Sequence, residues 1–377
     1  MFHLKAAMSS VRNQPKYMIA GGGTGGHIFP ALAIAGGIKS RFPQAELLFV
    51  GAQGRMEMTR VPDAGYQIVG LPIAGLQRSL SLSNLALPWK LFVSLVKAIG
   101  LVREFKPDAV VGVGGYASAP LLLAARILRV PYLIQEQNSF AGLTNKLLGK
   151  KAASICVAFE GMESYFPAGK IHLTGNPVRK DLLEQNLSQY EARLHFGLEP
   201  GRPTILVIGG SLGARSINEA VAAAVPAWKE KGYQLIWQTG NAWAEKASEK
   251  LAENAGTGMI TRPFISEMNF AYAAADVVVS RAGALSLAEI CIAGKASILV
   301  PSPNVAEDHQ TRNAESLASK KAALLIRDRD AVQRLGSEVA QLLGNPGEIE
   351  RIGMAAHALA RPDAGEKIID QILKFQK

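Results

Sequence analysis

Short apolar runs alternate with longer, helix-compatible segments along most of the chain. The runs around Ile19, Phe49, Leu206 and Val278 are nearly continuous in apolar residues, and glycine or polar residues follow each of them. Continuous apolar strands are typical of a parallel sheet that helices cover on both faces. The pattern therefore predicts an α/β fold built on parallel sheets.

The alternation stops once and then starts again. The segment 175–179, Gly-Asn-Pro-Val-Arg, and a charged segment predicted to be one helix from Lys180 to Phe196 interrupt it. A chain of 377 residues is also too long for one ordinary core. We therefore expect a loose tail (1–16), a first Rossmann-like domain (17–176) and a second one (177–345). Ligands of open α/β sheets bind at the carboxyl ends of the strands, so two such halves face to face predict a site in the cleft between them.

The composition favours an anionic partner and narrows its kind. The net charge is +10 and the isoelectric point is near 9.5, which suits nucleic acid, an acidic membrane surface or a phosphorylated substrate. Aromatic residues make up 7% and form no cluster in a basic stripe, which argues against nucleic acid. Cys156 and Cys291 are far apart in sequence, so we expect neither a disulfide framework nor a thiolate metal site, and a cytosolic protein.

Three glycine-rich turns follow predicted strands, at 21–26, 112–115 and 209–213. Each turn alone is as consistent with close packing as with binding. Together with Ala282-Gly283-Ala284 they favour binding, because a helix that begins in such a turn presents unpaired N–H groups and the positive end of its dipole. The expected ligand is a phosphate or diphosphate held without a metal.

Two titratable residues beside these turns could carry chemistry. His27 stands in the first turn of a predicted helix, whose dipole disfavours an imidazolium, so its neutral ring could accept a proton. A capping or supporting role for His27 is the alternative. Glu289 could accept two hydrogen bonds from sugar hydroxyls, or it could be a solvated helix charge. Asp328-Arg329-Asp330 matches a DxD metal motif by letter, but flanking arginines and its distance from any glycine turn favour a charged surface turn.

The segment Leu82–Ile99 could form an apolar helix face with a basic rim. No uninterrupted apolar stretch is long enough to span a bilayer. Such a face suits an anionic membrane surface. Leu87, Leu91 and Leu95 make the other side of the helix apolar too, so a core helix is equally compatible. The face would comprise Leu82, Leu85, Trp89, Phe92, Val96 and Ile99, beside Arg78, Lys90, Lys97 and Arg103.

The order of the motifs closely resembles the MurG family from about Tyr17 to about Leu343. The motifs are Gly-Gly-Thr-Gly-Gly-His (22–27), Gly-Gly-Tyr-Ala-Ser-Ala-Pro (114–120), Gln-Glu-Gln-Asn (135–138), Gly-Asn-Pro-Val-Arg (175–179), Gly-Gly-Ser-Leu-Gly-Ala (209–214), Ser-Arg-Ala-Gly-Ala-Leu-Ser-Leu-Ala-Glu-Ile (280–290) and Asp-His-Gln-Thr-Arg-Asn-Ala (308–314). The resemblance implies a GT-B glycosyltransferase fold in which a helical segment (346–377) returns to the first domain.

The resemblance also implies an activity and its partners. The expected reaction is inverting transfer of N-acetylglucosamine from UDP-N-acetylglucosamine to lipid I, the undecaprenyl-diphosphate-linked muramyl pentapeptide, giving lipid II for peptidoglycan. It needs no cofactor and no metal, and it takes place on the cytoplasmic face of the plasma membrane. Another GT-B glycolipid glycosyltransferase and a UDP-N-acetylglucosamine 2-epimerase are the alternatives.

Matching of the motifs assigns site residues to both halves. Thr24, Gly25, Gly26, Asn138 and Arg179 would line the cleft from the first half and the hinge. In the second half Glu289 would bind the ribose, Ser211 the diphosphate, the Ile265 backbone the uracil, and Gln310 with Asn313 the sugar. The rest of the donor site would be the run Ala284, Leu285, Ser286, Leu287 and Ala288. His27 is the hypothesised general base, with Glu136, Asn138 and a bound water as alternatives.

Overall fold

The chain folds into two α/β units, in agreement with the predicted fold class. The computed structural model describes residues 14–75, 87–183, 187–210, 212–253 and 258–375. The first unit runs up to Pro177 and takes in the residues from Asp363 onward, and the second spans Val178–Pro362.

The first unit is built on a seven-stranded sheet in the order β3-β2-β1-β4-β5-β6-β7, and all neighbouring strands are parallel. Its strands are β1 Lys16–Ala20, β2 Glu46–Ala52, β3 Gln67–Leu71, β4 Ala109–Gly112, β5 Tyr132–Glu136, β6 Ser154–Val157 and β7 Ile171–Leu173. Its helices are α1 Gly25–Arg41, α2 Glu57–Asp63, α3 Leu87–Phe105, α4 Ala119–Ile127 and α5 Leu143–Gly149, and short 3-10 turns lie at Tyr116–Ser118, Met162–Ser164 and Ala168–Lys170.

Strand β1 shows why the sheet is buried on both faces. Met18 packs into the hydrophobic cluster on one face, whereas Tyr17 and Ile19 pack into the cluster on the other. Successive side chains of a strand point to opposite faces, so a strand covered on both sides must be apolar throughout. This is the physical reason for the continuous apolar runs in the sequence.

The second unit is built on a six-stranded sheet in the order β10-β9-β8-β11-β12-β13, again with parallel neighbours. Its strands are β8 Thr204–Ile208, β9 Gln234–Gln238, β10 Met259–Arg262, β11 Val277–Ser280, β12 Ala296–Leu299 and β13 Leu324–Leu325. Its helices are α6 Lys180–Leu183, α7 Gln189–His195, α8 Arg215–Glu230, α9 Ala244–Glu253, α10 Met268–Ala274, α11 Ala284–Ala293, α12 His309–Ala318, α13 Ala331–Leu343 and α14 Pro346–Ala358, and 3-10 turns lie at Asn241–Trp243, Ala306–Asp308 and Asp328–Asp330.

The end of the chain differs from the expected segment 346–377. Helix α14 stays in the second unit, because Ile352 packs into the core of that unit. Only the last helix, α15 Ala364–Leu373, joins the first unit, where Ile368 and Ile369 pack beside α1. A Cβ atom at Gly37 of α1 would lie 2.4 Å from Ile369 Cδ1, which shows how closely the two helices approach.

The charged segment 180–196 also differs from the prediction of one helix. It forms α6 and α7, and Ser188 begins α7 with a capping box in which its side chain accepts from the Glu191 N–H. A serine at this position satisfies an N–H group at the start of the second helix. In the described part of the chain, no helix combines the length and apolar character needed to cross a bilayer.

Candidate active site

In each unit, the glycine-rich turns lie where the strand order of the sheet reverses direction. In the first sheet β1 and β4 are neighbours, and the turns at 21–26 and 113–115 follow them. In the second sheet β8 and β11 are neighbours, and the segments 209–214 and 281–283 follow them. Ligands of open α/β sheets bind at this topological switch point. Each unit therefore carries a candidate site built on its own pair of turns.

The first glycine turn is held from inside the unit by Glu57, a residue that the sequence analysis missed. The Glu57 side chain is fully buried, and its two oxygens accept hydrogen bonds of 3.0 Å from the Gly23 and Ala52 N–H groups. A Cβ atom at Gly22 would lie 2.1 Å from Glu57 Oε1, so only glycine fits there. The buried carboxylate thus determines the path of the turn that leads to His27.

His27 lies in the first turn of α1, which begins after Thr24. The Thr24 carbonyl accepts from the His27 N–H at 3.1 Å, and His27 Nδ1 lies 3.0 Å from both the Val113 carbonyl oxygen and Gln137 Oε1. The ring packs against Gly115, where φ is +76° and a Cβ atom would lie 3.2 Å from the ring and 2.6 Å from the Gly22 carbonyl oxygen. The structure therefore brings together the segments that follow β1, β4 and β5 around this ring.

The carboxylate of Glu136, one of the alternative bases, organises the loop after β5. It is almost fully buried. Oε1 accepts from the Asn138 N–H at 3.1 Å and from Asn138 Nδ2 at 3.4 Å, whereas Oε2 accepts from the Gly142 N–H at 3.1 Å and from Asn145 Nδ2 at 2.8 Å. These four donors account for the lone pairs of the carboxylate. Asn138 is correspondingly held by Glu136.

In the second unit, Glu289 lies on α11 with its carboxylate largely buried. Arg179 Nε lies 3.4 Å from Oε1, and the Tyr272 hydroxyl donates to Oε2 at 3.1 Å. Burial raises the pKa of Glu289 above its ordinary value, while the neighbouring Arg179 guanidinium acts against this shift. Burial and the adjacent Glu289 carboxylate raise the pKa of Tyr272 well above its ordinary value. Tyr272 therefore remains a neutral donor to Glu289 at physiological pH.

A chain of hydrogen bonds joins Arg179 to the glycine turn at 209–213. Arg179 Nη1 donates to the Ser266 carbonyl at 3.3 Å, and the neighbouring Ile265 N–H donates to Gln238 Oε1 at 2.9 Å. Gln238 Nε2 in turn donates to the Gly210 carbonyl at 3.1 Å. The predicted ribose and uracil positions are thus connected through hydrogen bonds to the Gly210 carbonyl, and Gln238 is a member of this network that the sequence analysis missed.

The other predicted donor-site residues differ in their access to a ligand. Ala284 to Ser286 form the first turn of α11 and are partly exposed, whereas Leu287 is buried in the core. Gln310 is partly exposed, and its Oε1 accepts from the Ser302 N–H at 2.9 Å. Asn313 is fully buried and donates to the Ala282 carbonyl at 3.2 Å, so its side chain supports the turn before α11.

The remaining predicted site residues lie at the start of α1, on α11 and at position 211. Ser211 lies outside the described residues. Ala288 is partly exposed on α11. Thr24 and Gly26 are exposed at the start of α1, with Gly25 partly exposed between them. The backbone at the start of α1 is therefore accessible to a ligand.

In the charged turn Asp328-Arg329-Asp330, Arg329 is exposed, whereas Asp328 makes contacts within the second unit that the sequence did not predict. Its carboxylate accepts hydrogen bonds from Arg281 Nη1 and from the Ser216 hydroxyl in the first turn of α8. Arg281 also donates to the Val300 carbonyl at 3.0 Å. Asp328 therefore lies beside α8, the helix that follows the glycine turn at 209–213. Among the described residues, no group of three or more His, Cys, Asp or Glu side chains is arranged to hold a metal ion.

Helix α3 carries part of the predicted apolar face on the surface. Trp89, Phe92 and Val96 are 67%, 57% and 54% exposed, and the rings of Trp89 and Phe92 stack at 5.7 Å. Ile99 instead packs against the core, as does Leu95 on the other side of the helix. Leu82 and Leu85 lie outside the described residues. Helix α3 (Leu87–Phe105) is thus a core helix with one exposed apolar stripe.

Two family models cover most of the chain. The glycosyltransferase family 28 N-terminal domain matches residues 17–157, and the glycosyltransferase family 28 C-terminal domain matches residues 204–368. These ranges include both pairs of glycine-rich turns. The two candidate sites therefore fall within the two domains of one enzyme family.

Named relatives are similar over nearly the whole chain. A Cytophaga hutchinsonii protein named UDP-N-acetylglucosamine–N-acetylmuramyl-(pentapeptide) pyrophosphoryl-undecaprenol N-acetylglucosamine transferase is 52% identical over 96% of both chains. The crystal structure of Acinetobacter baumannii MurG is 31% identical, with a TM-score of 0.78 over 96% of this chain and 99% of that chain. The predicted GT-B fold class is thereby confirmed.

A more distant likeness concerns the fold alone. The Neisseria meningitidis UDP-GlcNAc 2-epimerase structure is 14% identical, with a TM-score of 0.65 over 96% of this chain and 100% of that chain. At this identity the architecture is shared, whereas a site is not implied. The similarity to the transferases extends instead to sequence identity along both domains. The chain therefore belongs to glycosyltransferase family 28 and, within it, to the MurG family.

Proposed function

We propose that this protein transfers N-acetylglucosamine from UDP-N-acetylglucosamine to the muramyl sugar of lipid I and so forms lipid II. The observation that carries the proposal is the full-length match to the Cytophaga transferase, at 52% identity over 96% of both chains. The product would supply peptidoglycan synthesis, and through it growth of the cell wall, cell shape and cell division.

On the acceptor side, His27 is the proposed general base. A hydroxyl oxygen of the muramyl sugar attacks the anomeric carbon of N-acetylglucosamine while His27 Nε2 takes the hydroxyl proton. The bond from that carbon to the diphosphate breaks, and its electron pair leaves on UDP. A single displacement inverts the anomeric configuration. The exposed backbone at Thr24, Gly25 and Gly26 would face the diphosphate of the lipid.

On the donor side, the second unit would hold UDP-N-acetylglucosamine. The Glu289 carboxylate accepts hydrogen bonds from the ribose hydroxyls. The N–H groups at the start of α11 stabilise negative charge on the departing diphosphate. The Ile265 N–H is already bonded to Gln238, so the backbone contact to uracil falls to the Ile265 carbonyl. Gln310 would contact the sugar, and Ser211 stays the predicted partner of the diphosphate.

One assay separates this function from its rivals. Incubation of the purified protein with UDP-N-acetylglucosamine and a lipid I analogue should yield the lipid-linked disaccharide and UDP in equal amounts. A 2-epimerase would convert the nucleotide sugar without the lipid, and another glycolipid synthase would ignore lipid I. Formation of UDP without glycosylated lipid would reject the proposed function.

The role of His27 has its own test. His27→Ala should lower kcat by about 10²–10⁴-fold, the usual contribution of a general base, and should leave the KM for the donor nearly unchanged. His172→Ala is the control, because His172 lies on β7 of the same unit and belongs to no candidate site. Equal kcat values for the two variants would remove His27 from this role.

The exposed stripe of α3 is the proposed membrane contact on the cytoplasmic face. Its apolar side chains would enter the interface, and the positive net charge would attract anionic lipids. Burying one large apolar side chain contributes ~1.5–3 kcal/mol. The double variant Trp89→Ser/Phe92→Ser should therefore bind phosphatidylglycerol vesicles with an affinity lower by at least about tenfold.

The control for this experiment is Met354→Ser. Met354 is comparably exposed but lies on α14 of the second unit. Sedimentation with phosphatidylglycerol and with phosphatidylcholine vesicles measures both the apolar and the charge contribution. Unchanged sedimentation of the α3 variant would show that this stripe does not bind the membrane.

A further inference from the structure

A chain of buried side-chain amides runs inward from His27. Gln137 Oε1 lies 3.0 Å from His27 Nδ1, and Gln137 Nε2 donates to Gln135 Oε1. Gln135 Nε2 then donates to Asn176 Oδ1 at 2.9 Å. All three amides are at least nine-tenths buried, so they depend on one another for their hydrogen bonds. We refer to Gln137, Gln135 and Asn176 as the amide relay.

Backbone carbonyls at both ends fix the direction of the amide relay. Gln137 Nε2 lies 2.7 Å from the Val113 carbonyl oxygen and 3.1 Å from the Gln135 carbonyl oxygen, and its two N–H groups are shared among these oxygens and Gln135 Oε1. At the other end, Asn176 Nδ2 donates to the Gln137 carbonyl at 3.0 Å. A carbonyl oxygen can only accept, so each terminal amide must turn its NH₂ group toward it. Flipping either amide would place oxygen against oxygen, which leaves one favourable orientation.

This orientation determines where the proton of His27 resides. With Gln137 Oε1 turned toward the ring, His27 Nδ1 meets two acceptors, since the Val113 carbonyl oxygen also lies 3.0 Å away. A ring nitrogen that faces only acceptors on that side carries the proton, and the other nitrogen of the neutral ring then holds the lone pair. The lone pair therefore lies on Nε2.

We infer that the amide relay positions the general base by fixing the Nδ1–H tautomer of His27. The inference rests on the proposed function for the role of His27 as the base, whereas the tautomer itself is a property of the protein. Gln137 acts on the ring directly. Asn176, in the Gly-Asn-Pro-Val-Arg segment, acts at the far end of the amide relay, through Gln135 and Gln137.

The tautomer can be measured without the reaction. In protein labelled with ¹⁵N-histidine, the two ring nitrogens of neutral His27 should show the shifts of a protonated Nδ1 and an unprotonated Nε2. The signals are assigned by their loss in His27→Gln. A protonated Nε2 in the neutral wild-type ring would overturn the inference. Because this measurement needs no substrate, failure of the proposed transfer reaction would be recognised separately.

Variants test whether the amide relay controls the tautomer and the rate. Gln137→Met removes one of the two acceptors beside Nδ1 and leaves the Val113 carbonyl, so the population with Nε2 protonated should rise and kcat should fall by about tenfold, a part of what a general base contributes. Asn176→Leu should change both quantities in the same direction. The donor KM should stay at its wild-type value in both variants.

Gln234→Met is the matched control for loss of a buried amide. Gln234 is fully buried and bonds to the Glu199 backbone through both ends of its amide, in the second unit. It should leave the His27 tautomer and the change of kcat with pH as in the wild type. If Gln137→Met and Asn176→Leu alter the tautomer and kcat no more than this control does, the amide relay has no positioning role.

Discussion

Replacing Glu57 should loosen the turn that carries His27 while leaving the second unit unchanged. Glu57→Gln keeps one oxygen but turns an NH₂ group toward either the Gly23 or the Ala52 N–H, both of which now donate to the carboxylate at 3.0 Å. A hydrogen bond to a charged group contributes ~1.5–3 kcal/mol. Hydrogen exchange at the affected amide should then accelerate by roughly ten- to a hundredfold. Because the turn leads to His27, kcat should fall while the donor KM stays constant.

Native-state hydrogen exchange is the suitable assay, since a chain of two units does not have one well-defined free energy of unfolding. Glu46→Gln is the control, because Glu46 is 40% exposed and pairs with Lys16 at the surface, where an ion pair contributes at most ~1 kcal/mol. Wild-type exchange at both Gly23 and Ala52 in the Glu57 variant would refute the assignment.

Three further predictions concern other charged or nucleophilic groups. Burial raises the pKa of Glu289 above its ordinary 4.5, so Glu289 takes up a proton at a higher pH than an exposed glutamate does. The KM for the donor should therefore rise as the pH falls toward this raised pKa. Glu289→Gln should show a high donor KM that does not change with pH. Burial raises the pKa of Cys156 and of Cys291 to about 12, so iodoacetamide at pH 8 should label both only after unfolding, and labelling of native protein would contradict this. Asp328→Ala should lower the free energy of opening of the second unit, measured by native-state hydrogen exchange, by ~1–3 kcal/mol, less than for a fully buried pair because Asp328 is 24% exposed. Exchange in the control Asp330→Ala should match the wild type, because Asp330 is more exposed.

The strands were well predicted because their signal is local. Strands lie at the apolar runs around Ile19, Phe49, Leu206 and Val278, since an apolar run between glycine or polar residues suffices to define a buried parallel strand. The unit to which Pro346–Ala358 belongs was not predictable in this way. Its apolar residue Ile352 shows that one face is buried, but not in which core.

The supporting residues of the site were missed because their partners are distant in sequence. In the sequence, nothing distinguishes Glu57 from any other charged residue of a short helix. Its role depends on the hydrogen bond from the Gly23 N–H, which lies 34 residues away. Asp328 had the pattern of a surface turn, yet it bonds to Ser216, 112 residues away. Gln137 meets His27 across 110 residues. Composition and spacing locate the glycine turns, whereas tertiary contacts decide which buried polar side chains shape them.

The place of α15 in the first unit has a consequence for synthesis of the chain. Ile368, Ile369 and Ile372 complete the core around α1, and Arg41 forms ion pairs with Glu366 and Asp370 at 2.9 and 2.5 Å. The ribosome makes these residues only after all of Val178–Pro362, which takes roughly ten seconds or more at ~5–20 residues per second. The first unit therefore emerges from the ribosome before the second unit but completes its core after it. Throughout translation of the second unit, the nascent chain carries an open apolar groove along α1.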